Sequence, residues 1–473
     1  MPTDARARVT RWLGPAFFLA TLVIPAPGAL PVVAWWTAGA ALLMATWWIG
    51  ESIPIPATAL LPLALFPLLG AGTIRETAEP YADPIIFLFL GGFLIALALE
   101  KCGLHRRIAL GVMRRAGTGR RALVGGFMLA AALLSMWVSN TATALMMLPV
   151  ALSVARVADE EGRASLAVPL LLGLAYGCNI GGMGTLVGTP PNALLAGFME
   201  QQYGVTITFL DWLKVGLPVV AIGLPLTFLI LTRGMERGDS GRAAAELERE
   251  MSRLGPITVA ERRVALVFAA TALLWITRPL LVPFVPGLSD AGIAMTGGIA
   301  LFLIPSGRGD ALMDWTTARG LPWGTLILFG GGLSLAGAFT RTGLSEAVGG
   351  ALAGLGGWPP LVLLLLLVTL VVFLTELTSN AATTATMLPV IAAMAVGIGT
   401  DPMLLAVPAV LSASCAFMLP VATPPNAIVF GSDKVTVPEM ARAGLWVNLA
   451  FIVLLTAVGY ALVGAAFGGQ VLH

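Results

Sequence analysis

Long apolar runs separated by short polar loops fill most of the chain. Many reach the roughly 20 residues that a helix needs to cross a bilayer. In order, they predict membrane helices at about 12–29, 32–50, 55–72, 85–101, 213–232, 264–282, 288–305, 322–340 and 441–467. Four other apolar segments do not read as single crossings. Segment 122–156 is too long for one helix and is interrupted by Ser139-Asn140-Thr141. A re-entrant hairpin that turns at the tripeptide accounts for both features. Such a turn leaves backbone groups unpaired at membrane depth, which is tolerated only inside protein or along a wet cavity. Segment 357–399 reads the same way, with its turn at Ser379-Asn380. Segment 166–199 is broken by Gly181-Gly182-Met183-Gly184-Thr185 and Gly188-Thr189-Pro190-Pro191-Asn192. Segment 402–431 is broken before Thr423-Pro424-Pro425-Asn426. Tandem prolines remove two amide donors, and glycines permit the sharp turn, so both segments read as discontinuous helices.

The interruptions recur. LLSMWVSNTATALMMLPV and FLTELTSNAATTATMLPV align without gaps at a separation of 240 residues, bringing Thr143 onto Thr383 and Pro149 onto Pro389. Phe89-Leu90-Gly91-Gly92 and Gly103-Leu104 match Phe329-Gly330-Gly331-Gly332 and Gly343-Leu344. Thr189-Pro190-Pro191-Asn192 returns as Thr423-Pro424-Pro425-Asn426, and Trp48-Ile49 as Trp275-Ile276. An odd number of crossings separates corresponding helices, so the halves form inverted repeats. Interrupted apolar segments at matching positions of two such halves are the sequence pointer to a transporter site. The expected architecture is all-α and polytopic, with about 11 transmembrane helices plus two re-entrant hairpins.

Composition fits this reading. The 473 residues are 58% hydrophobic and only 11% charged, against about a quarter charged in soluble domains. A net charge of +2 offers nothing to a nucleic acid. Arg6, Arg8 and Arg11 before the first apolar run read as the cytoplasmic flank of a membrane helix rather than a signal peptide. Lys101, Arg106, Arg107, Arg114, Arg115, Arg120 and Arg121 form a basic stretch without an acid between them, which the positive-inside rule puts in the cytoplasm. Arg156, Asp159, Glu160, Glu161 and Arg163 close the first hairpin. The most charged segment, 233–263, reads as a cytoplasmic linker with a short amphipathic helix around 242–254. The chain is therefore expected in the cytoplasmic (inner) cell membrane, multi-pass, with its N-terminus inside. Trp35, Trp36, Trp47 and Trp48 fall near the ends of the second helix, where interfacial aromatics collect.

Three separated cysteines (Cys102, Cys178, Cys415) and two histidines (His105, His473) suggest neither a disulfide framework nor a zinc site. No Ser–His arrangement or paired buried carboxylates occur in the apolar segments, so an enzyme is not expected. A passive channel fits two inverted, interrupted halves less well than alternating access does. The candidate pocket offers hydroxyls, amides, helix ends and freed backbone groups, and no Lys or Arg. Helix N-termini suit anionic oxygens, and carbonyl and hydroxyl oxygens suit a small hard cation. A multiply charged anion would bind poorly there unless cations accompany it, which argues for cation coupling. Ser and Asn in membrane helices also serve simply as interhelical glue, a reading that the duplicated motif makes less attractive. Glu376, three residues before Ser379 and matched by Met136, is either a proton or cation group or a structural partner.

On WWIGESIPIPATALLPL (47–63), FLFLGGFLIALALEKCGLHRRIAL (87–110), SMWVSNTATALMMLPV (135–150), GGMGTLVGTPPNA (181–193) and VATPPNA (421–427), nearly the whole chain resembles the divalent anion:sodium symporter (DASS) family. This group includes sodium-coupled di- and tricarboxylate transporters. The resemblance implies a homodimer in the lipid bilayer, with a scaffold and a transport domain that moves as an elevator. The domain reading is then a first segment at 1–31, a first repeat at 32–235 and a linker at 236–263, followed by a second repeat at 264–473. Scaffold helices extend to about 116 and 345, and transport elements cover about 122–232 and 357–467. By motif, one sodium ion would meet Ser135, Ser139, Asn140 and Gly188, and a second Thr375, Thr378, Asn380 and Ala422. The small anionic substrate would meet Asn140, Thr141, Thr189, Ser379, Asn380 and Thr423. The family's second Ser-Asn-Thr reads Ser379-Asn380-Ala381 here, one hydroxyl fewer, and Gly50-Glu51-Ser52 stands where many carboxylate members have Thr-Glu-Ala. The implied function is Na+-coupled symport of a succinate-like C4 dicarboxylate. Sodium-independent exchange and sodium-coupled sulfate or sulfonate transport are the alternatives.

Overall fold

The computed structural model describes residues 3–159, 166–236, 238 and 241–467. Glu160, Glu161 and Arg163 lie outside the described residues. The architecture is all-helical, with no β-strand among the described residues. Among the described residues, eight helices are long and apolar enough to cross a membrane, and five shorter apolar helices accompany them.

Polar side chains set where several helices begin. Thr208 with Asp211, Thr258 with Glu261 and Thr436 with Glu439 form reciprocal capping boxes at the starts of Phe209–Leu231, Val259–Leu281 and Val437–Val458. Each satisfies two amides that the first turn leaves without partners, at a boundary between polar loop and apolar run. The second helix runs Val32–Gly50 and the fourth Pro84–Cys102. The third predicted helix is two pieces, Ile55–Thr58 and Leu61–Leu69, ended by Gly70 at φ 72°. Trp48 departs from the interfacial expectation. It is fully buried and donates its indole N–H to the Ile55 carbonyl at 3.1 Å.

The two matched glycine-rich motifs lie side by side. Phe89 and Phe329 occupy corresponding positions and meet edge to face, with ring centroids 5.0 Å apart. Gly91 packs against the Ala294 backbone of helix Asp290–Leu303, and Gly331 against Ala59. A side chain at either position would collide with backbone, which is why the motifs need glycine there.

Among the helices that were not expected, two form a matched pair. The basic stretch after Cys102 folds into helix Leu104–Ala116, and Leu344–Leu352 is its counterpart. Both follow a glycine in the left-handed region, Gly103 at φ 80° and Gly343 at φ 78°, where L side chains are strained. Leu104, Ala109, Leu110 and Met113 face inward. Arg106 and Arg114 face the linker helix Gly241–Arg253. Arg106 pairs with Glu250 at 2.5 Å and Arg114 with Glu248 at 3.5 Å. Arg107 pairs with Glu261 at 2.8 Å and also donates to the carbonyls of Leu254, Gly255 and Pro256. The basic stretch thus holds an acidic helix as well as marking a membrane face.

Candidate functional site

A helix–turn–helix pair occupies each segment read as a hairpin. The first is Arg120–Ser135, a turn at 136–139, and Asn140–Asp159. The second is Pro360–Thr375, a turn at 376–379, and Asn380–Gly397. Each turn brings the carbonyl end of one helix to the amide end of the next. The discontinuous helices form as Ala167–Gly182 with Pro190–Tyr203, and Pro402–Ser412 with Pro424–Phe430. Helix Asn140–Asp159 packs on Pro424–Phe430, and Asn380–Gly397 on Pro190–Tyr203. Each hairpin therefore adjoins the Thr-Pro-Pro-Asn helix of the opposite half.

In the first hairpin, Ser135 is fully buried, as is Thr143. By geometry neither hydroxyl has a hydrogen-bond partner, although the Ser135 hydroxyl faces the buried Cys178 thiol, and the side-chain carbonyl of Asn140 has none either. Leaving a buried polar atom unpaired costs about 1–3 kcal/mol, so these three oxygens are candidate ligands for a cation. Asn140 Oδ1 and the Gly188 carbonyl both come close to Gly182. They lie 3.0 and 3.2 Å from where a Cβ at that position would sit. Glycine thus keeps open the space on which these oxygens converge. Ser139 does something else with its side chain. It is exposed and accepts the Ala142 amide at 3.2 Å, capping the returning helix.

In the second hairpin, the counterparts bond one another. Thr375 donates to Asn380 Oδ1 at 2.9 Å and to the Ala413 carbonyl at 2.8 Å. Thr378 and Thr383 share a hydrogen bond, and Thr378 also reaches the Leu374 carbonyl at 3.0 Å. Ala381 is buried beside Asn380, at 8% exposure. Asn140, Thr141, Ser379 and Asn380 are all half-buried at the tips. Thr189 and Thr423 are buried at the starts of the two proline-led helices, and Ala422 is buried next to Thr423.

The broken-helix loops are held by side chains that the sequence reading left out of the site. Asn192 donates to the carbonyls of Gly182 and Thr185 at 3.2 and 2.7 Å. Asn426 donates to Ala416 and Leu419 at 3.0 and 3.1 Å. The partners stand ten and seven residues upstream in both cases, so one device is used twice. The recurring Asn of Thr-Pro-Pro-Asn was the available signal. Asn179 bridges the halves, donating to Thr423 Oγ1 at 3.1 Å; nothing in its apolar run distinguished it.

Glu376 resolves as a positioning residue. Its Oε1 accepts the amides of Phe417 and Met418 at 2.7 and 2.8 Å and the Asn448 side chain at 2.7 Å. Its Oε2 accepts the Leu419 amide at 3.1 Å. The first half achieves the same end without a carboxylate. There helix Ala167–Gly182 is longer, the amides of Met183 and Gly184 bond the Ile180 and Gly181 carbonyls, and Thr185 donates to the Met136 carbonyl.

No group of three or more His, Cys, Asp or Glu side chains that could hold a metal ion occurs among the described residues. The oxygens on offer are hydroxyl, amide and carbonyl. They suit a weakly held hard cation rather than a resident transition metal.

Residues 7–465 match the family model described as the sodium:sulfate symporter transmembrane region. The chain belongs to this family, the divalent anion:sodium symporters. It is a membrane transporter and not an enzyme. The "sodium-dependent dicarboxylate transporter SdcS" of Staphylococcus saprophyticus is 40% identical over 475 residues, covering 96% of this chain and 91% of that protein. The protein of the same name from Staphylococcus aureus USA300 is 40% identical over 478 residues, with 97% and 92% covered. Among solved structures, the YdaH transporter of Alcanivorax borkumensis superposes with a TM-score of 0.60 at 18% identity, covering 91% of this chain and 99% of that one. MtrF of Neisseria gonorrhoeae does so with a TM-score of 0.55 at 13% identity, covering 95% and 94%. These two likenesses concern the fold alone.

Proposed function

We propose that this symporter-family member couples inward sodium movement to transport of a C4 dicarboxylate such as succinate. The observation that carries the reading is the first hairpin, where Ser135, Asn140 and Thr143 present buried oxygens without partners and Gly182 leaves room beside the Asn140 and Gly188 oxygens. A sodium ion would take up those oxygens together with the Ser139 main chain. A second ion would use Thr375, Thr378, Asn380 and Ala422. Substrate carboxylates would meet Asn140, Thr141 and Thr189 from one half and Ser379, Asn380 and Thr423 from the other. The helices that start at Asn140 and Asn380 aim free amides and partial positive charge at an anion. The cations supply the charge that the pocket lacks. The names of the 40%-identical relatives support dicarboxylate as the substrate class and sodium as the coupled ion.

In this reading the halves are inverted repeats. The hairpins and broken helices form a transport body that moves as an elevator against a scaffold, within a homodimer of the inner membrane whose N-terminus is cytoplasmic. Sulfate or a sulfonate is the second reading, favoured by Ala381, which offers no hydroxyl to a carboxylate. The test is uptake of labelled succinate into proteoliposomes under an inward sodium gradient, with potassium replacing sodium in one arm and sulfate competing in another. Sodium-dependent uptake that sulfate leaves untouched is expected. Uptake that ignores sodium and requires internal dicarboxylate would mean an exchanger.

A further inference from the structure

A cavity of about 630 Å3 lies at the far end of the same two elements that carry the candidate site. Pro149, Leu152, Ser153, Ala155 and Arg156 line it from the returning helix of the first hairpin, and Ser432 and Lys434 from just beyond helix Pro424–Phe430. At 1.5 Å per residue, the wall from Pro149 to Arg156 stands roughly 14–24 Å from Asn140. The opposite wall descends likewise from Thr423. The volume falls within the roughly 300–1,000 Å3 typical of small-molecule sites.

Two cations face this space, and neither Arg156 nor Lys434 takes part in an ion pair among the described residues. Of the acids nearby, Glu246 accepts the Ser153 hydroxyl at 3.0 Å and pairs with Arg249 at 3.3 Å, and Asp433 stands exposed beside Lys434. The inner pocket shows the opposite chemistry, with oxygens and no Lys or Arg. An anion approaching that pocket from this side would meet two cations that form no ion pair among the described residues, and neutral donors afterwards.

We propose that Arg156 and Lys434 form a vestibular binding site for the transported dianion, on the face that carries the basic helix Leu104–Ala116. The site concentrates the substrate at the mouth of the path and releases it, because its charges stand in water and are not built into the pocket. This rests on the reading of the substrate as a small dianion. Clefts lined by one sign of charge raise on-rates by about 10–1,000-fold, and the effect is screened as the Debye length falls from about 10 Å at 0.1 M salt to about 3 Å at 1 M.

The experiment is initial-rate uptake into proteoliposomes at fixed sodium, with choline chloride setting ionic strength and labelled succinate and labelled sulfate in parallel arms. The proteins are wild type, R156Q, K434Q, R156Q/K434Q and the charge-keeping R156K/K434R, with Arg156 and Lys434 facing the substrate side. In the double neutral variant KM should rise about 3- to 10-fold at low ionic strength with kcat unchanged, and the difference should close in high salt. Each single variant should show part of the effect, and R156K/K434R should restore wild-type KM. A wild type that carries sulfate but not succinate would sink the dicarboxylate reading and leave the same ratios to be read for sulfate. A wild type that carries neither would overturn both readings. Equal KM in all five proteins at low salt would overturn the vestibule. So would an effect present only in vesicles containing phosphatidylglycerol, since the pair would then be holding a lipid phosphate.

Discussion

The two hairpins carry the same residues to the same places and treat them differently. Ser135, Asn140 and Thr143 stand where Thr375, Asn380 and Thr383 stand 240 residues later. The first three have buried atoms without partners, whereas the second three are tied into hydrogen bonds. Two substitutions account for much of the contrast. Val138 in the first turn is Thr378 in the second, and that hydroxyl is what Thr383 bonds. Met136 is Glu376, whose carboxylate gathers three amides, where the longer first helix bonds the amides of Met183 and Gly184 to its own carbonyls. A cation entering the first half breaks none of the hydrogen bonds seen there, while one entering the second must break bonds already made. Preorganised oxygens cost less to use, so the first half should bind sodium more tightly and the second should follow.

The largest way to break the comparison is at Glu376. Glu376→Ala strands the amides of Phe417, Met418 and Leu419, at about 1–3 kcal/mol each. We expect markedly lower thermal stability in detergent and no sodium-driven uptake, whereas Met136→Ala should leave uptake measurable. Next is Asn140→Ala. Losing one oxygen that meets a charged group costs about 1.5–3 kcal/mol, so half-saturation by sodium should weaken about 10- to 150-fold, more than in Asn380→Ala; equal losses would contradict the asymmetry. Val138→Thr is nearly isosteric and would give Thr143 the partner that Thr383 already has. Sodium activation should weaken about 2- to 10-fold, as a neutral hydrogen bond contributes about 0.5–1.5 kcal/mol. Ala381→Thr should have the smallest effect, tightening dicarboxylate affinity by at most about 10-fold on the same scale. A switch from sulfate to succinate preference on that change would instead support the second reading of the substrate.

Much of this was legible before any coordinates. Hairpin turns and helix breaks declare themselves because a polar tripeptide or tandem prolines inside a long apolar run admit few structures in lipid. Repetition, at 240 residues for the hairpins and 234 for the Thr-Pro-Pro-Asn breaks, turns each local oddity into a pair. What the sequence hid was partnership. Glu376 reads equally as a proton carrier or a capping group until the Phe417–Leu419 amides are seen around it. Ser135 and Thr375 look interchangeable, since whether a hydroxyl is satisfied depends on neighbours brought in by the fold. Helix Leu104–Ala116 was masked by its arginines, which dominate the local composition while Leu104, Leu110 and Met113 quietly keep helical spacing. Asn179 lies in a run of apolar and small residues, and only the approach of Thr423 from the other half gives it a role.

The most direct test of the asymmetry uses Trp137, which sits in the first turn and stacks on Phe209 with centroids 5.7 Å apart. Its fluorescence should report sodium arriving in that half. Substrate-free protein would be titrated with sodium chloride against choline chloride in wild type, Ser135→Ala and Thr375→Val. The account predicts a saturable sodium response in wild type, weakened about 10-fold or more in Ser135→Ala and nearly unchanged in Thr375→Val. A response that survives Ser135→Ala and disappears in Thr375→Val would place the first sodium in the other half and contradict it.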